Sequence, residues 1–85
     1  MIVPTIHPNG TSAERLIESL CEASQALDLA YSVLKQTAPN GRDYQNQDEM
    51  LAAQVEHMSR LHRIDSVRNE LDALTCAIAK AREQD

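Results

Sequence analysis

The chain has 85 residues, thirteen Asp/Glu against eight Lys/Arg, and a formal net charge of -5. A chain of that size makes one small domain that buries only about 60% of its unfolded surface, and with no Trp, no Phe and only two Tyr its core has to come from Leu, Ile, Val, Ala and Met. The acidic balance argues against a general nucleic-acid binder, which would show a basic surface; an acidic DNA mimic stays open as an alternative, though the eight basic residues are interspersed with the acids rather than excluded.

Residues 1–10, MIVPTIHPNG, read as an extended N-terminal arm. Pro4 and Pro8 disfavour helix there, and Ile2, Val3 and Ile6 suit it to lie on apolar surface. The arm lacks the basic start and long apolar stretch of a secretory signal. Asn9-Gly10-Thr11-Ser12 turns into a helix: Thr11 with Glu14 fits a capping box, and Ser12 is the alternative cap. A first helix is expected over 12–37, with Ala13, Leu16, Leu20, Ala23, Leu27, Ala30 and Leu34 spaced 3-4-3-4-3-4. Ile17, Tyr31, Leu29 and Val33 widen this stripe beyond what one partner helix needs.

Residues 38–47, APNGRDYQNQ, form the connection, with Pro39 ending the helix and Asn40-Gly41 turning the chain. Asp48 is read as the cap of a second helix over 48–83, and the tail AKAREQD as fraying. This helix carries two stripes. Leu51, Val55, Met58 and Leu61 mark the first half; Ile64, Val67, Leu71, Leu74, Ile78 and Ala81 mark the second, on a nearly opposite face at about 100° per residue. Either the helix bends near 58–63 or its halves bury against different neighbours, and the second option requires another subunit. The second helix is longer than the first, so its C-terminal end is expected to overhang, with the arm covering Leu74, Ile78 and Ala81. The fold expected is all-α: a single domain over 11–85, a long antiparallel helical hairpin assembling into a homo-oligomeric bundle, since so few large side chains make a poor monomer.

Three groups of residues carry possible binding chemistry. His7, Asn9, Gly10, Thr11 and Ser12 sit at a helix start, whose free N–H groups and positive dipole end suit a phosphate or carboxylate; the plain alternative is a helix cap. Asn40, Gly41, Arg42, Asp43 and Tyr44 combine an anion-binding fork with a stacking ring; the alternative is a solvated loop with a local Arg–Asp pair. His57, Arg60, Arg63 and Arg68 share a broad sector of the second helix as a small basic patch; the alternative is ordinary surface charge, including Glu56–Arg60 at i, i+4. The first two groups lie at opposite ends of the first helix, ~39 Å apart by helix rise, and meet only if an antiparallel neighbour brings them together, as a two-fold dimer does.

No catalytic residues, metal ligands or cofactor are expected. His57 and His62 are five apart and no HExxH occurs; no Ser or Cys has an evident activating base. A hairpin turning near residue 43 sets Cys21 opposite about residue 65 and Cys76 well away, so two free thiols and a reducing cytoplasm are expected. No apolar run approaches the ~18 residues of a membrane span.

TIHPNGTS before the first helix and APNGRDY after it resemble small helical proteins encoded by phages and prophages, in which IH-x-NGTS is followed by PNGRDY. The resemblance covers the first half of the chain and implies a short accessory protein of the bacterial cytoplasm that binds and inhibits a host component. Two functional expectations follow. One is a non-enzymatic binding protein whose oligomeric bundle docks on and antagonises a host defence protein. The other is a sponge for a small anionic, nucleotide-like signal held between subunits, with Thr11 and Ser12 on phosphate, Arg42 and Arg60 or Arg63 neutralising charge, and Tyr44 stacking. A purely structural oligomer is the third reading.

Overall fold

The computed structural model of the chain describes residues 1–7 and 9–83. Its regular elements are α1, Ala13–Lys35, a 3-10 turn at Gly41–Asp43, and α2, Gln47–Glu83. The conformation expected at Pro8 and the fraying expected at Gln84 and Asp85 fall outside the described residues. The all-helical hairpin expected from the sequence is present. It is a rod of 60 × 19 × 17 Å with a radius of gyration of 18.5 Å, against about 12 Å for a compact chain of this length.

The helix ends follow from local hydrogen bonding. Ser12 caps α1, its hydroxyl accepting from the Arg15 N–H at 3.2 Å. The cap is therefore the alternative Ser12 and not Thr11, and Glu14 is free of capping-box duty. At the other end, the Gln36 and Thr37 N–H groups donate to Val33 and Leu34 carbonyls, and the Thr37 hydroxyl donates to the same Leu34 oxygen at 2.7 Å. That tightened turn and Pro39 stop α1 two residues before the expected end. Asn46, not Asp48, caps α2: its Oδ1 accepts from the Glu49 N–H at 2.8 Å, while the Glu49 carboxylate accepts from the Gln45 N–H at 3.2 Å. Asp48 and Glu49 remain in the first turn, where negative charge favours the positive end of the dipole.

Three polar pairs fix how the helices face each other. Arg82 donates to Glu14 at 3.1 Å, Ser24 donates to Asp72 at 2.9 Å, and Arg68 bonds Asp28. All three share one register, in which each step along α1 is matched by an equal step back along α2. Residue 83 thus lies opposite residue 13, and Leu61 opposite the end of α1. The overhang is the reverse of the one expected: residues 47–60 of α2, not its C-terminal end, outrun α1. The reason is the connection. Residues 36–46 do not reverse sharply but run back along α2, with Ala38 and Pro39 beside Gln54, His57 and Met58, and Tyr44 beside Glu49, Ala52, Ala53 and Glu56.

This register also rotates the seam. On α1 the inward positions are Ala13, Ile17, Leu20, Ser24, Leu27, Tyr31 and Leu34, while Ala23 and Ala30 are exposed. On α2 they are His57, Leu61, Ile64, Arg68, Leu71, Thr75 and Ile78, and Val67 of the expected stripe is exposed. The polar pairs at Ser24 and Arg68 draw those residues inward and turn the alanines out. Among the described residues Ala13, Leu61 and Ile78 are the buried apolar ones, and Ile78 is fully enclosed. Of the arm's apolar residues, Met1, Ile2 and Val3 are exposed, while Ile6 is half-buried and lines a recess with Ala13 and Arg82 at the end of α2. α2 is one continuous helix, so its two unlike stripes coexist without a break.

Because Ile78 is, among the described residues, the one side chain with no exposed surface, Ile78→Ala is expected to cost about 2–4 kcal/mol of stability, read as a lower urea midpoint. A loss under about 0.5 kcal/mol, typical of a surface position, would contradict this core.

Candidate functional site

The start of α1 is the part of the molecule that gathers sequence-predicted residues. An open cleft there is lined by Asn9, Gly10, Thr11, Ser12, Arg15 and Ser19. On its other side, Ile6, His7, Gly10, Ser12, Ala13, Glu14 and Arg82 line a second recess, which joins the arm to the end of α2. His7 therefore stands across the helix start from Arg15, with Gly10 and Ser12 shared by both sides. The Gly10 N–H donates to the His7 carbonyl oxygen at 3.1 Å, which folds the end of the arm onto the cap.

Arg15 and Ser19 were not singled out from the sequence. Ser12 as cap places Arg15 three residues on, and Ser19 one turn beyond it, so a choice between the two candidate caps would have found them. A guanidinium beside free helix-start N–H groups and hydroxyls can bind an anion by charge-assisted hydrogen bonds.

The electrostatics of this end rest on Glu14. Its carboxyl is held below its ordinary value of 4.5, first by a backbone N–H at its own position and then by the hydrogen bond from the Arg82 guanidinium, with desolvation acting in the opposite direction. This pair ties the start of α1 to the end of α2.

The second group forms its own unit. The Asn40 side chain accepts from the Arg42 N–H at 3.1 Å and its carbonyl from the Asp43 N–H at 2.9 Å, closing the 3-10 turn. No Arg42–Asp43 ion pair occurs among the described residues. Tyr44 is half-buried between Glu49 and Glu56, an acidic setting that favours no phosphate within one chain. Gly41 adopts no positive φ, and a Cβ there would meet open space. The 23 residues of α1 alone span about 35 Å, and the connection runs further on along α2 before this turn, so the turn and the Ser12 cap stand at opposite ends of the rod and the hairpin does not bring them together.

The third group is not a patch. His57 is buried at 6% exposure, with its Nε2 lacking a hydrogen-bond partner. Arg68 is neutralised by Asp28 and Asp65, and Arg60 pairs with Glu56 at 3.3 Å. Arg63 donates from Nε to the Ser59 carbonyl at 3.4 Å. The register separates these residues by turning His57 and Arg68 into the seam. Among the described residues no cluster of three or more His, Cys, Asp or Glu could hold a metal ion, and no helix is long and apolar enough to cross a membrane.

Ser12→Ala is expected to lower stability by about 1 kcal/mol through loss of the cap. For Glu14 the folded-state value is the lower one, so its contribution is present above the unfolded value and lost as pH falls through the folded one. Melting temperatures of wild type and Glu14→Gln should therefore differ at pH 7 and converge below 4.5; an equal gap at pH 3 and pH 7 would contradict this role.

No family model, curated protein or solved structure matches this chain.

Proposed function

We propose that this chain is a non-enzymatic accessory binding protein that works as a homo-oligomeric helical bundle and antagonises a host component, in keeping with its resemblance to small phage-encoded proteins. The observation that carries this reading is the bare stripe on the overhanging half of α2. Leu51, Val55 and Met58 are 52%, 70% and 56% exposed, and they lie on the side of α2 away from Tyr44. The area involved supports it. The chain exposes 6558 Å², whereas a compact monomer of 9.5 kDa exposes about 5,000 Å². Two chains that each returned to the compact value would bury on the order of 3,000 Å² in total, within the range of obligate homodimers. Helix periodicity supplies a further apolar edge, with exposed Ala23 and Ala30 and half-buried Leu16 on α1 beside exposed Val67 and half-buried Leu74 and Ala81 on α2. Its alanines permit close approach of a second helix pair. An assembled bundle leaves an acidic, helical outer surface for a protein target.

Native mass spectrometry tests the assembly. An oligomer is expected for wild type, and Val55→Asp is expected to shift it to monomer. A folded wild-type monomer at micromolar concentration would overturn the reading.

A second reading, a sponge for a small anionic nucleotide-like signal, is supported by the cleft at the α1 start. Arg15 joins the expected Asn9, Gly10, Thr11 and Ser12 there. An antiparallel neighbour would add Arg42 and Tyr44 from its own loop. In this reading the glycines keep backbone open to a ligand. Gly41→Ala is then expected to raise stability by about 0.4–1 kcal/mol while weakening binding. Protein purified without denaturation should carry an added mass that Arg15→Ala and Arg42→Ala lose while staying folded. If wild type carries no added mass, the anion reading fails and the protein-target reading stands.

A further inference from the structure

The polar edge of the hairpin carries a ladder of cross-helix pairs, and one rung consists of two thiols. Asp28 with Arg68 is followed one turn along by Ser24 with Asp72, whose 2.9 Å hydrogen bond joins two short side chains and so holds the helices close. The next turn, three residues back on α1 and four on along α2, brings Cys21 beside Cys76. Both are free and exposed, and both line one cleft with Ser24, Gln25, Asp72 and Thr75. This is not the separation expected from the sequence. A reversal at residue 43 sets Cys21 opposite residue 65, whereas the long connection moves the partner to residues 75 and 76. Glu14 with Arg82 closes the ladder at the far end, so the thiol rung lies between fixed rungs on both sides. The ladder also lies on the opposite edge from Ala23, Ala30, Val67 and Leu74, which leaves the thiols accessible when that edge is covered.

We propose that Cys21 and Cys76 are a paired modification site: a low-molecular-weight disulfide such as oxidised glutathione converts them to an intramolecular disulfide that staples α1 to α2. One cysteine thiolate attacks a sulfur of glutathione disulfide, forms a mixed disulfide and releases one reduced glutathione. The second thiolate attacks the protein sulfur of that mixed disulfide, forms the Cys21–Cys76 bond and releases the other. The protein loses two electrons and two protons, and the oxidant is reduced to two thiols. The pairing makes the second step intramolecular, with an effective concentration set by the fixed rungs. A bond between residues so far apart in sequence also restricts the unfolded chain strongly.

The test treats folded wild type, Cys21→Ser and Cys76→Ser with oxidised glutathione, and follows intact mass, linked peptides and melting temperature. Wild type is expected to lose both thiols together with a mass change of about -2 Da, to yield a 21–76 linked peptide and to melt at higher temperature. Each serine variant is expected to keep a glutathione adduct, with a lifetime at least about tenfold longer than in wild type. A stable adduct on wild type, cross-links between chains, or no reaction under conditions that oxidise a free dithiol would overturn the proposal.

Discussion

The register of the two helices is the constraint on which the rest of the molecule depends. A stripe of Leu, Ile and Ala can slide by a turn with little loss, because apolar contact is not directional. Arg68 cannot. Held between Asp28 on α1 and Asp65 one turn away on its own helix, it reaches its cross-helix partner in one alignment, and a turn's slip would part this half-buried charge from Asp28. Exposed ion pairs add little to stability, so the value of this network lies in selecting one alignment from several, as a single polar seam residue does in coiled coils. Ser24 with Asp72 and Glu14 with Arg82 repeat the choice above it.

From that alignment follow the features that give the rod its character. It sends the connection back along α2, leaves Leu51, Val55 and Met58 bare, and places polar residues in the seam. His57 shows what this costs. Its Nε2 is enclosed beside Ala38 and Pro39 without a partner, and an unmet buried polar group costs about 1–3 kcal/mol. With so few enclosed apolar residues, the hairpin by itself has a thin margin, which is the physical case for assembly.

Much of the fold was legible in the sequence, because two long windows free of glycine and proline, each bearing a 3-4 repeat, leave few alternatives to a helical hairpin. What misled was the choice of seam. Ala23, Ala30 and Val67 complete a regular apolar pattern, yet lie outside; Ser24, Arg68 and Thr75 break it, yet lie inside. Periodicity records which faces are apolar, and a chain with two such faces does not declare which one its own second helix takes. The position of the reversal is hidden for a related reason: loop length says how many residues are free, not whether they cross over or run alongside. At the candidate site the cap cluster was legible from Asn-Gly-Thr-Ser, but Arg15 depends on Ser12 rather than Thr11 being the cap, a one-residue choice that hydrogen bonding decides.

The pairing of residue 13 with residue 83 has a practical consequence. The described chain enters and leaves the rod at the same pole, and that pole holds the cleft with Arg15. A domain fused close behind α2 would therefore stand at the pole that holds the cleft. The opposite pole, where residues 40–46 are largely exposed, is the place where a fluorophore or an inserted label leaves this cleft open. Surface immobilisation through that loop would present the helix-start end outward.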